Sequence, residues 1–135
     1  MAANRTFSLE VMTPNGPVTT ADVSVVVVPA ADGELGILAG HAPVVTLLGA
    51  GVLSFTDASG KRVRYWAAGG FAHVRENSVS VLPEECVPLE KLDPAAAAQE
   101  LDTARALPAG TLDTNTRRAL AVSTAQAKIR AAGRK

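Results

Sequence analysis

The chain has few of the residues from which most catalytic and nucleic-acid-binding sites are built. Of its 135 residues, one is cysteine, two are histidine and 4% are aromatic. A single cysteine excludes an internal disulfide and a zinc site built on several thiolates. Sparse aromatics disfavour a stacking platform for single-stranded nucleic acid. Because thirteen basic residues balance thirteen acidic ones, no net positive charge attracts a phosphate backbone. We therefore expect no nucleic-acid partner.

Long hydrophobic runs are also missing. The longest, residues 25–31, is interrupted by Pro29 and is far shorter than the roughly 20 residues of a membrane-spanning helix. We therefore expect no direct membrane insertion, and any membrane association should go through a partner. A hydrophobic content of 47% still allows a packed core, and the length suits one domain or one domain with a small appendage.

The first part of the chain has the period of β-strands. Phe7, Leu9 and Val11 alternate with other side chains, and residues 23–28 form a nearly continuous β-branched run. Turn signals at residues 14–17 and 57–60 separate the short strand patterns. The pair at positions 69 and 70, Gly-Gly, fits a tight turn better than a phosphate-binding loop, because no helix follows it. These patterns predict an antiparallel β-sandwich or flattened barrel.

The pattern becomes helical after Pro88. Asp93 is a suitable cap for a helix that begins at Pro94, and residues 108–110 predict its end. A second helix is predicted from a cap at Asp113 or Thr114 to about residue 130. The two apolar stripes at helical spacing are Ala97, Leu101, Ala104 and Leu107, and then Val122, Ala125 and Ile129.

Two domains are therefore predicted, a β-sandwich over residues 1–87 and a helical hairpin over residues 88–135. Alanine favours helix but buries little area, and burial contributes only about 25 cal/mol per Å². We expect the hairpin to dock loosely and to be able to move.

The most informative segment is residues 32–48, Asp-Gly-Glu-Leu-Gly-Ile-Leu-Ala-Gly-His-Ala-Pro-Val-Val-Thr-Leu-Leu. Its glycines and proline predict a shaped loop between short strands, with Glu34 and His41 as the main polar side chains. These two residues suit a general base with its orienting acid, or simply a loop histidine and a solvated carboxylate. Because no nucleophile or metal-ligand set accompanies them, the chain is not expected to be an enzyme.

The same segment resembles the signature of the epsilon subunit of the rotary, proton-translocating F-type ATP synthase. Ala39 stands where that family commonly has proline, and residues 51–53, 69–71 and 78–82 follow in the expected order. The resemblance implies a β-sandwich followed by two helices. It also implies a non-catalytic subunit of the central rotor, peripheral to the cytoplasmic face of the bacterial plasma membrane.

The resemblance further implies partners and site residues. The sandwich would bind the gamma subunit and the c-ring, and the hairpin would extend towards the alpha and beta subunits and restrain ATP hydrolysis. The residues that map onto the c-ring loop are Glu34, Gly36, Gly40, His41 and Pro43. The basic residues that could meet the alpha and beta subunits are Arg117, Arg118, Lys128 and Arg130. Alternatively, these four only solvate their helix and complement its dipole.

Residues 101–106, Leu-Asp-Thr-Ala-Arg-Ala, match the motif with which some bacterial epsilon subunits bind ATP. Asp102 and Arg105 would share a helix face. The family position for this motif is residues 92–97, which contain no arginine, and residues 119–127 of the second helix contain no basic side chain. ATP binding is therefore not favoured, and no cofactor is expected.

An alternative to the rotor subunit is a free-standing β-sandwich that binds a ligand. A large apolar pocket with converging polar groups would favour that module, whereas exposed apolar patches on two faces would favour the rotor subunit. Cys86 follows two glutamates, which should raise the pKa of its thiol rather than activate it.

Overall fold

The computed structural model describes residues 5–134. The chain divides into two compact units, of which the first ends at Val87 and the second begins at Pro88. The first unit is a β-sandwich and the second is a pair of helices. A β-sandwich followed by a two-helix hairpin was predicted from the sequence, and this fold class is confirmed.

Nine strands are present among residues 5–134. In chain order they are β1 (Phe7–Thr13), β2 (Gly16–Ala30), β3 (Gly33–Leu38), β4 (Val44–Leu47), β5 (Ala50–Asp57), β6 (Arg62–Ala68), β7 (Phe71–Arg75), β8 (Ser78–Leu82) and β9 (Glu85–Pro88). Their order in space is β4-β7-β8-β1-β2-β5-β6-β9, with β3 paired to β2. Since β4 and β9 lie at opposite ends of this order and do not pair in the described part of the chain, the sandwich is open.

The long strand β2 belongs to both layers. Its first part pairs with β1, from Thr13↔Gly16 to Phe7↔Val23. Beyond Val23, β3 follows β1 along the same edge of β2, while β5 occupies the other edge. One pairing departs from the antiparallel prediction, because β1 and β8 are parallel.

The core lies between the two layers and is made of the predicted alternating side chains. Phe7, Leu9 and Val11 of β1 are all buried, as their period of two requires. The predicted tight turn at residues 69 and 70 is confirmed, with φ angles of 74° and 80°. A Cβ on Gly70 would overlap the carbonyl oxygen of Leu82, so no other residue fits there.

The second unit holds a short 3₁₀ helix, Leu89–Lys91, and two α-helices, α1 (Pro94–Arg105) and α2 (Leu112–Ala132). As predicted, the Asp93 side chain caps α1 by accepting a hydrogen bond from the Ala95 N–H at 3.0 Å. The two helices pack against each other, and α2 also contacts the 3₁₀ helix. The buried residues of the two helices are all alanines, Ala97 and Ala104 of α1 and Ala125, Ala131 and Ala132 of α2.

Two details of the helix prediction were wrong. α2 is capped by Thr111 rather than by Asp113 or Thr114, because Thr111 and Thr114 form a reciprocal capping box. α1 ends at Arg105, before the predicted stop at residues 108–110, so Leu107 lies outside the helix and is 37% exposed.

Candidate interaction surface

An open groove of about 610 Å³ runs between β3 and β4. Both are edge strands in the described part of the chain, since β3 pairs with β2 and β4 with β7. The N–H of Ala31 donates to the carbonyl oxygen of Leu47 at 2.9 Å, which ties the end of β2 to β4 beside the groove. The groove brings together three of the residues predicted from the sequence, Glu34, His41 and Pro43.

Glu34 and Gly36 lie on strand β3, not in a loop, which corrects the sequence prediction. β3 forms six successive antiparallel pairs with β2, among them Pro29↔Glu34 and Val27↔Gly36. The β-branched residues of β2 form a long strand with which residues 33–38 can pair, and this pairing outweighs the preference of the glycines for a loop. Glu34 and Gly36 are both exposed, so β3 presents a carboxylate and bare backbone to solvent.

The turn after β3 has a defined conformation. Gly40 has a φ of +84°, which other residues adopt only with strain. The backbone N–H of His41 donates to the Leu38 carbonyl at 3.1 Å, and its ring Nδ1 donates to the Ala42 carbonyl at 2.7 Å. The Nδ1 bond holds the imidazole against its own loop. The guanidinium of Arg5 lies beside Gly40, since a Cβ built there would be 3.8 Å from Nη2.

An apolar patch lies next to the groove, on the outer face of the layer that contains β4 and β7. Val45 is 62%, Leu47 69% and Phe71 41% exposed. Leu47 is directly opposite Phe71, and Val45 opposite His73, so all four side chains share one face. We call Val45, Leu47 and Phe71 the apolar face.

The apolar face continues into polar rows on β8, β1 and β2. These rows enclose an open, shallow depression of about 400 Å³ that includes Glu10, Asp22 and Arg75. Nη2 of Arg75 donates to Oγ of Ser80 at 2.8 Å. The layer therefore presents an apolar centre with a polar border, as protein interfaces commonly do.

Three of the four predicted cationic residues are engaged within the hairpin. Arg117 forms an exposed pair with Asp113 at 3.3 Å. Nε of Arg118 donates to the Arg105 carbonyl oxygen at 3.0 Å. Nζ of Lys128 lies 3.1 Å and 3.2 Å from the two carboxylate oxygens of Glu100. The remaining residue, Arg130 in the last turn of α2, is exposed.

Asp102 and Arg105 are both exposed on α1, where their spacing puts them on one face. Arg118 of α2 donates from its side chain to the backbone carbonyl oxygen of Arg105 and so caps the carboxyl end of α1.

Cys86 is half-buried and has a raised thiol pKa, as predicted. Burial is the main cause and the charge of Glu85 adds to it, so that the pKa rises to about 11. Burial was not part of the sequence argument, which used only the neighbouring glutamates.

Two features, a cluster of metal ligands and a membrane-spanning helix, are absent from residues 5–134. No cluster of three or more His, Cys, Asp or Glu side chains is placed to hold a metal ion. No described helix combines the length and the apolar character that crossing a membrane requires.

The amino-terminal unit matches a family model. Residues 6–89 match the model described as ATP synthase, Delta/Epsilon chain, beta-sandwich domain. An ATP synthase epsilon chain from Desulfitobacterium hafniense is 38% identical over 129 residues, which cover 94% of this chain and 96% of that one. The chain belongs to the ATP synthase epsilon chain family. Another epsilon chain, from a Synechococcus strain, is 43% identical over 99 residues, 73% of this chain and 72% of that one.

Two solved structures with the same fold come from parts of mitochondrial ATP synthases. A chain of the Euglena gracilis mitochondrial enzyme, in a structure of OSCP, F1 and the c-ring, superposes with a TM-score of 0.78 at 28% identity, covering 90% of this chain and 78% of that one. A chain of the Tetrahymena thermophila mitochondrial ATP synthase, in a structure of the central stalk and c-ring, superposes with a TM-score of 0.76 at 16% identity, covering 93% of this chain and 95% of that one. This likeness supports the fold.

An epsilon chain is a non-catalytic subunit of the rotor stalk of an F-type ATP synthase and is peripheral to the membrane. The predicted family and rotor role are therefore confirmed. The ligand-binding alternative is not favoured.

Sequence reasoning missed the apolar face and Arg5. Val45 and Leu47 alternate with a period of two, and this signal alone could have indicated a strand with one apolar side. Their exposure follows from the pairing of β4 with β7 at the edge of the layer, which is a long-range property.

Proposed function

We propose that the groove between β3 and β4 docks on the polar loops of the c-ring, while the apolar face packs against the gamma subunit. The chain would then join the shaft of the rotor to its ring during proton-driven ATP synthesis. The observation that carries this proposal is the convergence of Glu34, His41 and Pro43 in one open groove between two edge strands.

The groove suits polar loops better than it suits a small ligand. It is open to solvent, and its polar side chains are the carboxylates of Asp32 and Glu34, the hydroxyl of Thr46 and the His41 imidazole, which is held by its own loop. Exposed backbone at Gly36 allows another chain to approach closely, because no atom lies within 4 Å of a Cβ built there. The carboxylate of Glu34, next to this exposed backbone, would fix the position in which a c-ring loop docks.

The apolar face suits a packed protein partner. Val45, Leu47 and Phe71 form a contiguous exposed apolar surface, which is uncommon on a monomer unless it is used in binding. The polar border that includes Glu10 and Arg75 would form the rim of the interface. The groove and the apolar face share Val45, so one side of the sandwich would contact both rotor partners.

We further propose that the sandwich, residues 1–87, is the rotor-binding domain and that the hairpin, residues 88–135, restrains ATP hydrolysis by meeting the alpha and beta subunits. The proposed contacts are the basic side chains Arg117, Arg118, Lys128 and Arg130. Support comes from the exposure of Arg117 and Arg130 and of Leu112 and Leu120 on α2, whereas Arg118 and Lys128 would have to leave their partners within the hairpin. In a bacterial cell this places the subunit at the cytoplasmic face of the plasma membrane.

Site-specific photo-cross-linking in the assembled enzyme tests the two docking assignments separately. A photoreactive residue at Glu34 should give a product with the c subunit, and the same residue at Leu47 should give a product with gamma. Lys61, exposed in the turn between β5 and β6, is the matched control and should give neither product. Equal yields at Lys61 and Glu34, or a gamma product only at Lys61, would contradict the assignments.

A further inference from the structure

The outer edge of β3, the one turned away from β2, pairs with no other strand in the part of the chain that the structure describes. In an antiparallel ladder, alternate residues turn both the N–H and the C=O towards the partner strand, and the residues between them turn both groups away. The hydrogen bonds of β2 therefore determine which residues of β3 present free backbone groups.

Pro29 of β2 fixes this alternation. It has no N–H, and its carbonyl oxygen accepts a hydrogen bond from the N–H of Gly49 at 2.8 Å. Gly49 directly precedes β5, which occupies the edge of β2 opposite β3. Because Glu34 is the residue of β3 that pairs with Pro29, the two exchange no ladder bond, and the N–H and C=O of Glu34 point to the outer edge.

The same direction holds further along β3. Gly36 and Leu38 also turn their backbone groups to the outer edge, because the alternation repeats every second residue. In agreement with this, the Leu38 carbonyl oxygen accepts from the N–H of His41 at 3.1 Å, which ends the available stretch. Glu34 and Gly36 are both exposed, and a Cβ built on Gly36 has no atom within 4 Å. We call the outward N–H and C=O groups of Glu34 and Gly36 the free edge of β3.

The edge of β4 across the groove offers less. The N–H of Leu48 donates to the Gly70 carbonyl at 2.9 Å, and the Leu47 carbonyl accepts from the N–H of Ala31 at 2.9 Å. Since β4 is only four residues long, the alternation leaves Val45 alone with both backbone groups outward in this described strand. An added strand would therefore pair with β3.

The free edge of β3 suits an extended chain. Unpaired backbone groups of a strand are matched by a second extended backbone, which supplies C=O and N–H groups at the same spacing. The exposed carboxylates of Asp32 and Glu34 line the groove at the start of β3. A fitting partner is thus an extended segment with a basic side chain next to these carboxylates.

We propose that a c-ring loop docks by adding a short extended segment to the free edge of β3, with a basic side chain beside Glu34. This inference rests on the proposed docking of the groove on the c-ring and specifies how that docking occurs. Main-chain hydrogen bonds at Glu34 and Gly36 attach the loop, and the Glu34 carboxylate sets its position along the strand.

Amide hydrogen exchange, compared between the isolated full-length chain and the assembled enzyme, tests the strand addition directly. The N–H groups of Glu34 and Gly36 should exchange at least about tenfold more slowly in the assembled enzyme, because they gain hydrogen-bond partners there. The N–H groups of Leu35 and Ile37 face β2 and are the internal reference, which should exchange slowly in both states.

Two substitutions of Gly36 separate strand addition from simple coverage by a neighbouring chain. Gly36→Pro removes an N–H that points away from β2, a position at which an edge strand tolerates proline, and it blocks the free edge. Gly36→Ala is the matched control, because it keeps the N–H and adds a Cβ in open space. In the assembled enzyme Gly36→Pro should speed exchange at Glu34 about fivefold, the loss expected for one backbone hydrogen bond, and Gly36→Ala should leave it unchanged.

Three results would overturn the strand addition. They are equal exchange at Glu34 in the isolated chain and the assembled enzyme, equal effects of Gly36→Ala and Gly36→Pro, and failure of Gly36→Pro to fold, which would mean that this N–H faces β2. Docking on the c-ring would still stand if a photoreactive residue at Glu34 gives a product with the c subunit. Absence of that product would contradict the proposed function, and slowed exchange at Glu34 without it would mean that a chain other than the c subunit occupies the free edge.

Discussion

Glu34 and His41 line the same groove, although one lies on strand β3 and the other in the turn that follows it. Their relative position depends on two backbone features, the ladder of β3 with β2 and the left-handed conformation of Gly40. A partner that enters the groove would meet both side chains at once.

Gly40 and Gly36 should respond differently to alanine. Gly40→Ala places a Cβ at a φ of +84° and should destabilise the chain by about 1–2 kcal/mol. Gly36 has no atom within 4 Å of a built Cβ, so Gly36→Ala should be neutral or stabilise by up to about 1 kcal/mol. Urea unfolding of the isolated chain measures both values, and equal losses of stability would contradict the structure.

The pH dependence of stability should carry a contribution from Cys86. The pKa of its thiol is about 11 in the folded chain, against an ordinary value of 9.0. Because the folded pKa is the higher one, the stabilising contribution is complete below pH 9 and is lost as the pH rises towards 11. Tyr65, whose pKa is also raised by burial, acts in the same direction.

Comparison of the unsubstituted chain with Cys86→Ala isolates the contribution of the thiol to the pH dependence of stability. Urea midpoints between pH 8 and pH 11 should fall more steeply in the unsubstituted chain, even if the variant is less stable overall because of lost packing. Parallel curves would mean that Cys86 does not contribute.

We predict no tight binding of ATP. Asp102 and Arg105 lie exposed on α1, the central part of α2 carries no basic residue, and Lys128 is held by Glu100. Isothermal titration calorimetry of the isolated chain should show no micromolar site. Micromolar binding that disappears in Arg105→Ala would show that the motif works in spite of its position.

Removal of residues 93–135 should separate coupling from regulation. It deletes both α-helices and leaves all nine described strands intact. The truncated subunit should assemble and support ATP synthesis, while ATP hydrolysis rises. An unchanged hydrolysis rate would mean that the hairpin is not inhibitory, and failure to assemble would mean that it helps to hold the sandwich in the rotor.

The sequence was a reliable guide where local pattern decides structure. The alternation of Phe7, Leu9 and Val11 identified a half-buried strand, and the cap at Asp93 before Pro94 located the start of α1. The Gly-Gly turn before Phe71 followed from the absence of any helix after it. Each of these depends on residues a few positions apart.

The pairing of strands that are distant in the chain could not be predicted from the sequence. The glycines at positions 33 and 36 suggested a loop, yet β2 supplies a partner for six residues of β3. The parallel pairing of β1 with β8 joins segments far apart in the chain. The apolar face likewise exists only because β4 pairs with β7, which puts Leu47 beside Phe71.

The central claim is that docking of the groove between β3 and β4 on the c-ring couples the ring to the rotor shaft. The most direct test is the ratio of ATP-driven proton pumping to ATP hydrolysis in reconstituted enzyme carrying Glu34→Ala and His41→Ala together. A second pair, Lys61→Ala with Arg62→Ala, is the control, because it removes two exposed charges at the turn between β5 and β6.

Both double variants should unfold much like the unsubstituted chain, since Glu34, Lys61 and Arg62 are exposed and the half-buried His41 bonds only within its own turn. We expect pumping per ATP hydrolysed to fall in the Glu34 and His41 variant and to stay unchanged in the control. A pumping ratio equal to that of the unsubstituted enzyme would contradict the account.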